Sequence, residues 1–381
     1  MFDKFYKAAN FSLLKKSIDN GENCSVFGLN IGEKLALLGD SAILFFVVDS
    51  IESASVVMDK FVEMGRVPYM LTEDINPLTS EFEKSDKIIE FLYRLKNGEI
   101  DTVVLTANML AAKFPTPSRI GTKVVSLGDN LSVTSFIKEL INFGYERVDI
   151  VAEKGQFSVR GDVIDIFPLG GSPTRIMTDF DVVESIRSYN PITLLTTSDL
   201  KECVIPKNIL YQVSKEDIDN KYKELKIKYD DLYYDLTAFE RKDYRLIAFD
   251  NGFNSSVFDF VDSATIAFDA AKNIYDKLES YLAELKDRIK DSSLHKVLVG
   301  KPDNISKCLT FKREHTLIAF HLIQQNNRIF NPQKVFSIRT LPCINYSNNW
   351  SVLGMDIKNF VSSGYTVILS APTTIQSEQC Y

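Results

Sequence analysis

Cysteine is scarce and never closely spaced. Cys24, Cys203, Cys308, Cys343 and Cys380 lie far apart with no C-x-x-C among them, which argues against a disulfide frame or a thiolate zinc site. Reduced thiols in a cytoplasmic protein are the expectation. Histidine is scarcer still, and His295, His315 and His321 form no i, i+4 pair, so no metal ligand set is expected. No apolar run approaches the length that crosses a bilayer, and the opening MFDKFYKAANFSLLKK lacks a small-residue cleavage site, so no membrane partner is expected. Positive charge is not in excess either. With 44 Lys and Arg against 51 Asp and Glu, the net charge of −7 argues against a surface built mainly to grip DNA phosphates. There is no G-x-S-x-G elbow. The acid pair Asp230-Asp231 is adjacent on a helical pattern and points apart, so no catalytic residue is expected.

What is present is a globular chain of 381 residues, 45% apolar, long enough for two or three domains. From Ser25 to about Pro117, buried-strand runs such as AILFFVVD (Ala42–Asp49) and TVVLTA (Thr102–Ala107) alternate with helical patterns, which predicts an α/β layer with parallel strands. SIESASVVMDKFVEMG reads as a helix closed by Gly65, and SDKIIEFLYRLKNGE as one closed by Asn97-Gly98. Near KFPTPSRIGTK the grammar changes to short alternating segments with glycine turns, an antiparallel β insert. A hairpin is expected between RVDIV and QFSVR around Gly155, and a second between TRIMT and VVESIRSY, turning on Asp179-Phe180-Asp181.

After Pro206 helices return. Stripes at Ile218, Tyr222, Leu225, Tyr229, Leu232 and at Ile274, Leu278, Tyr281, Leu285, Ile289 predict amphipathic helices lying on an α/β core rather than a coiled coil. DIKNFVSSGYTVILSAPT reads as a helix, a stop at Gly364 and a buried strand, and Trp350 as an aromatic filling a groove. The domain boundaries expected are 1–118 and 207–381 for the split α/β domain, with 119–206 as the insert.

One stretch, GLNIGEKL, has the length and lysine of a phosphate-binding loop. Gly28 and Lys34 fit G-x-x-x-x-G-K-[ST], but Glu33 stands at the second glycine and Leu35 at the hydroxyl. A carboxylate about 4 Å from a phosphate charge costs about 4 kcal/mol at an effective dielectric near 20, and leucine gives magnesium no ligand. The loop reads as degenerate.

GYERVDIVAEKGQFSVRGDVIDIFPLG (Gly144–Gly170) and the following TRIMTDFDVVESIRSYNP resemble the β domain shared by UvrB and the Mfd family of transcription-repair coupling factors. The matching words are GY-x-RVD, G-x-F-S-V-RG, DIFP and E-S-I-R. GLNIGEKLALL, GEIDTVVLTANMLAAKFPTP and FVSSGYTVILSAPT extend the resemblance, in order and spacing, to the amino-terminal UvrB-like module of Mfd. The fold implied is a degenerate RecA-like, P-loop NTPase-type parallel layer carrying a UvrA-binding type β insert. In a working motor an Asp-Glu pair follows an apolar strand, and ATIAFDAAKN keeps Asp269 but has Ala270 in place of the glutamate.

The resemblance implies a non-catalytic module that recruits UvrA to stalled RNA polymerase. The parent would be an ATP-dependent DNA translocase that displaces the polymerase. ATP and Mg belong to that motor, beyond Tyr381, and no cofactor is expected for this chain. Contacts with polymerase and DNA are then made through the parent, whose remaining domains also pack on this module. The family's UvrA-binding arginines map to Arg160 and Arg175. Its aromatic, four residues after the second arginine, falls on Asp179, with Phe180 one step later, so either the turn has moved or that contact is altered. The alternative is a divergent UvrB-like ATPase that binds damaged DNA directly.

Overall fold

The computed structural model describes residues 9–72, 78, 85–238, 243–298, 304–323, 325–338, 346, 349–365 and 367. The chain opens with α1 (Ala9–Asp19), β1 (Cys24–Phe27), α2 (Ile31–Leu38), β2 (Leu44–Val48), α3 (Ile51–Glu63), β3 (Pro68–Leu71), α4 (Ser85–Lys96) and β4 (Thr102–Thr106). The short β5 (Phe114–Pro115) leads into β6 (Thr122–Ser126), α5 (Val133–Asn142), β7 (Glu146–Arg147), β8 (Gln156–Arg160) and β9 (Val163–Ile166). Next come β10 (Thr174–Asp179), β11 (Val182–Tyr189), β12 (Thr196–Leu200) and β13 (Glu202–Pro206). The return comprises α6 (Lys215–Glu224), α7 (Asp231–Thr237), β14 (Phe253–Ser255), β15 (Thr265–Phe268) and α8 (Ala271–Lys290). It ends with α9 (His295–Leu298), α10 (Ile305–Cys308), β16 (Thr316–His321), β17 (Lys334–Ser337) and α11 (Trp350–Ser362).

Strands from both ends of the chain interleave in one parallel sheet, in the order β17-β1-β16-β15-β2-β4-β3. The period of two along a strand explains why β2 is an unbroken apolar run. Phe45 and Val47 enter one core with Val103, Leu105, Ile266 and Phe268, while Leu44, Phe46 and Val48 enter a second with Val104 and Ala267. Helices α4 and α8 supply Leu92, Leu95, Ile274 and Leu278 to the first core; α1, α2 and α3 supply Leu14, Leu37 and Phe61 to the second. Helix α3 begins on the Ser50 hydroxyl, which accepts from the Ser53 amide at 3.2 Å, and Gly65 follows it at φ +77°.

The insert forms a six-stranded sheet, β12-β11-β10-β9-β8-β7, antiparallel except at its last pair. There the structure departs from the expected hairpin, because β7 runs parallel to β8. The Gln156 side chain accepts from the Ala152 and Glu153 amides, so the connection is a wide loop that brings the chain back in its original direction. Helix α5, absent from the sequence reading, sets Phe136 and Leu140 against Phe157, Ile164, Ile176 and Ile186.

The expected first stripe is also broken. Lys226 turns left-handed at φ +54° and divides it into α6 and α7, whereas the second stripe is one helix of 20 residues. Ile274 and Leu278 of α8 lie on the α/β core as expected, and Ile289 joins Ile218, Tyr222 and Leu232 in a smaller cluster.

Two buried groups fix the insert where the chain leaves and re-enters the layer. The Asp250 carboxylate binds Arg119 on the outgoing segment and accepts from the Gln212 amide (3.0 Å) on the returning one. The Tyr145 hydroxyl donates to the Pro206 carbonyl at 2.9 Å. Cys24, Cys203 and Cys308 are buried free thiols, and burial pushes the first two up to about 12. Cys343, Cys380 and the carboxyl-terminal strand expected in TVILSAPT lie outside the described residues, Val367 apart. Trp350 is 67% exposed, so it fills no groove; it opens α11, none of whose residues is buried.

Candidate functional site

Gly28, Glu33, Lys34 and Leu35 meet at the carboxyl end of β1, where a nucleotide would sit in a working layer of this kind. Gly28 adopts φ +84°, and a Cβ there would lie 2.2 Å from the Ile338 carbonyl oxygen, so the wall beside the loop is occupied by backbone. The Ile338 amide donates to the Phe27 carbonyl at 3.0 Å, continuing the β1–β17 ladder past the loop. Leu35 is buried in the second core with Leu37 and Phe46.

Lys34 is only 5% exposed. Its ammonium donates to Asp269 Oδ1 at 2.6 Å and stands 5.5 Å from the Phe320 ring centroid. Asp269 follows β15, and its amide is held by the Val47 carbonyl at 2.9 Å. Ala270, at the expected glutamate position, is left-handed at φ +55° and begins α8. One Glu33 carboxylate oxygen is buried without a hydrogen-bond partner among the described residues. Next to the lysine, His321 contacts the Ser25 hydroxyl (3.1 Å), Gln325 (3.2 Å) and, by stacking, Phe27. Burial first, and then the Lys34 charge, hold its pKa below the ordinary histidine value. This set of groups does not fit a magnesium triphosphate: the cation is already paired, an acid adjoins it, and no hydroxyl stands at the metal position.

The second region is the outward face of the insert. Register puts Arg175 opposite Asp165, and Asp165 opposite Ser158; Arg160, two residues further along β8, shares that face by the pleat. Arg175 is clamped there by two bonds to Asp165, Nε to Oδ1 at 2.7 Å and Nη2 to Oδ2 at 2.9 Å, with its guanidinium 5.1 Å from the Tyr189 ring centroid. The bond to Asp165 raises the Arg175 pKa further, and burial pushes Tyr189 up to about 12. Arg160 is exposed and donates to the Asp149 carbonyl at 2.8 Å.

Asp179 ends β10 opposite Val182 and is exposed. Phe180 and Asp181, at φ +44° and +63°, form a two-residue turn of the I′ kind. Phe180 therefore leaves from the turn rather than from a strand face, and it is 96% exposed. The sequence reading missed Asp165 and Tyr189, which orient Arg175; the cross-strand register that joins them is not visible in a one-dimensional pattern. Among the described residues no group of three or more His, Cys, Asp and Glu could hold a metal, and no helix is long and apolar enough to cross a membrane.

These features define a parallel α/β layer with an altered phosphate loop, interrupted by a β sheet with an arginine-bearing face. Residues 124–211 match the family model of the UvrB interaction domain. Across most of its length the chain is similar to transcription-repair-coupling factors. It is 28% identical to that of Staphylococcus aureus (strain MRSA252) over 255 residues, 59% of this chain and 22% of the relative. To that of Staphylococcus epidermidis (strain RP62A) it is 22% identical over 397 aligned residues, 94% of this chain and 34% of the relative. The chain thus spans about a third or less of the length of the curated relatives it matches. The resemblance to the amino-terminal module of the Mfd family, read from the sequence, is borne out.

Proposed function

We propose that this chain is the non-catalytic UvrB-like module of a cytoplasmic transcription-repair coupling factor, and that its insert recruits UvrA. The parent protein is then an ATP-dependent DNA translocase that displaces stalled RNA polymerase, and its other domains make the DNA and polymerase contacts. Those domains also pack on this module and mask the docking face until the motor engages. The observation that carries the reading is the exposed Arg160 beside the clamped Arg175 on the sheet matched to the UvrB interaction domain, with Phe180 and Asp179 at the hairpin tip. A planar guanidinium held in place keeps its free N–H groups aimed outward at low entropic cost, which suits recognition of carboxylates. The absence of catalysis is supported by the Lys34–Asp269 pair and by Leu35.

Titrating the chain with purified UvrA of the same organism tests the reading. Arg160→Ala and Arg175→Ala should each weaken binding by about 2–4 kcal/mol; unchanged affinity in both removes these residues from the site. ATP should bind no tighter than millimolar, and hydrolysis lost on Lys34→Ala would favour the ATPase alternative instead.

A further inference from the structure

Beside Arg160, at the β7 edge of the insert, lies a cleft of about 730 Å³ lined by Arg147, Val148, Asp149, Ile150, Ser158, Val159 and Arg160. The family resemblance assigns it no role. The charges on this side of the insert are unevenly satisfied. Arg175 is paired with Asp165 and Arg187 with Asp199, each through a carboxylate. Arg160 bonds only a carbonyl, and Arg147, which is exposed, has no ion pair among the described residues. The two guanidinium groups without a carboxylate partner are therefore the two that line the cleft.

In the same lining Ile150 is 58% exposed, and Val148 and Val159 are half-buried. An exposed isoleucine in one cleft with two unneutralised arginines is the composition of an interface anchor with a charged rim. The cleft is also continuous with the proposed docking face. Arg160 pairs with Val163 across the β8–β9 hairpin, Val163 pairs with Met177, and Phe180 lies three residues beyond Met177.

Resting on the docking reading above, we propose that this cleft is a second subsite of the same interface. It takes an acidic segment of UvrA, with a carboxylate between Arg147 and Arg160 and an apolar side chain on Ile150. Arg160 then belongs to both subsites, and the Asp149 carbonyl that orients it is part of the cleft wall. The occupant is anionic because the cleft presents two arginines against the single carboxylate of Asp149.

The test is titration of purified UvrA against the wild-type chain, Arg160→Ala, Arg147→Glu and Ile150→Asp, at low and at moderate salt. Unchanged thermal unfolding and far-ultraviolet circular dichroism identify folded variants. Arg147→Glu should weaken binding by about tenfold or more at low salt and reduce the salt dependence, because it inverts a charge at the contact. Ile150→Asp, which leaves both arginines in place, should weaken it by about tenfold as well. Loss with Arg160→Ala but affinity within twofold of wild type for Arg147→Glu overturns the cleft and leaves the docking reading standing. Loss with Arg147→Glu and Ile150→Asp but not with Arg160→Ala keeps the cleft and removes Arg160 from it. Wild-type affinity in all three variants overturns the cleft, and no binding of UvrA by the wild-type chain overturns the docking reading itself.

Discussion

The chain presents two cationic regions that use charge in opposite ways. In the α/β layer, Lys34 is buried and closed off by Asp269, and the Ile338 backbone crowds Gly28 at the start of the same loop. In the insert, Arg160 is exposed and, among the described residues, hydrogen-bonds only a carbonyl, leaving most of its donors available. An ammonium almost wholly buried against a carboxylate of its own fold contributes to structure and is withdrawn from ligands; a guanidinium with N–H groups left at the surface, as on Arg160 and in part on the clamped Arg175, remains a recognition group. The loop that looks like a binding site in the sequence is thus the more self-contained of the two, and the inconspicuous strand is the one open to a partner.

The largest effect expected from this contrast is on stability. Lys34→Ala strands a mostly buried Asp269 carboxylate and should cost about 3 kcal/mol in urea unfolding, the lower end for a broken buried pair because Asp269 retains some exposure. UvrA affinity should not change. Replacing both partners together, Lys34→Met with Asp269→Leu, should recover most of the loss, since an apolar pair leaves no charge unpaired. A double variant as unstable as the single would show that the pair does more than neutralise itself.

Arg160→Ala should do the reverse. It removes a surface group whose only protein bond among the described residues is to a carbonyl, so unfolding should shift by no more than about 0.5 kcal/mol while UvrA binding loses about 2–4 kcal/mol. Isothermal calorimetry and urea titration on the same preparations separate the two readouts. A destabilisation comparable to that of Lys34→Ala would erase the distinction between the regions.

Phe180 sharpens it further, because fold and function should pull apart at one residue. A bulky residue at φ +44° is strained, and glycine there should add about 1 kcal/mol of stability by adopting the turn freely. If the exposed ring is an anchor, the same Phe180→Gly change weakens UvrA binding by about tenfold or more. A variant that is more stable and binds equally well removes Phe180 from the docking face.

The parts of this picture legible in the sequence are those set by local periodicity. The run Leu44–Val48 announced a strand covered on both faces, and Asp179-Phe180-Asp181 announced a turn. Glu33 and Leu35 declared the altered loop because a phosphate site tolerates so few residues at those positions. What stayed hidden depends on strands meeting at a distance. Lys34 and Asp269 were each visible as remnants of a motor, but their contact spans 235 residues and requires β15 to lie two strands from β1 with β16 between. Asp165 reads as a polar interruption in VIDIF until the β9–β10 register sets it opposite Arg175. The hairpin expected around Gly155 failed because the Gln156 side chain, not a tight turn, organises Ala152 and Glu153. α5 carries a helical stripe, Val133, Phe136, Ile137 and Leu140 at i, i+3, i+4 and i+7, but it is only 10 residues long and stands among short alternating segments with glycine turns, whose β pattern set the reading of the whole stretch.

The smallest effect concerns pH, and it too divides the regions. All three histidines lie outside 119–206, and both His315 and His321 have pKa values lowered first by burial, with a nearby lysine, Lys312 or Lys34, adding to it. A histidine depressed in the folded state takes up a proton more readily when unfolded. Its contribution to stability is therefore complete above the unfolded value of 6.5 and declines as pH falls towards the folded one. Urea unfolding of the α/β layer should show lower stability at about pH 5.5 than at about pH 7.5, because the unfolded chain takes up protons there that the buried histidines resist. His321→Gln, which keeps hydrogen-bonding capacity near Ser25 and Gln325 without a titrating ring, should flatten part of that slope. The insert has no histidine to respond, so the cross-strand contacts of Arg175 should persist across the range. Acid then loosens the layer that holds the altered phosphate loop before it affects the sheet that carries the proposed docking face, and a slope unchanged by His321→Gln would assign the effect to His315 instead.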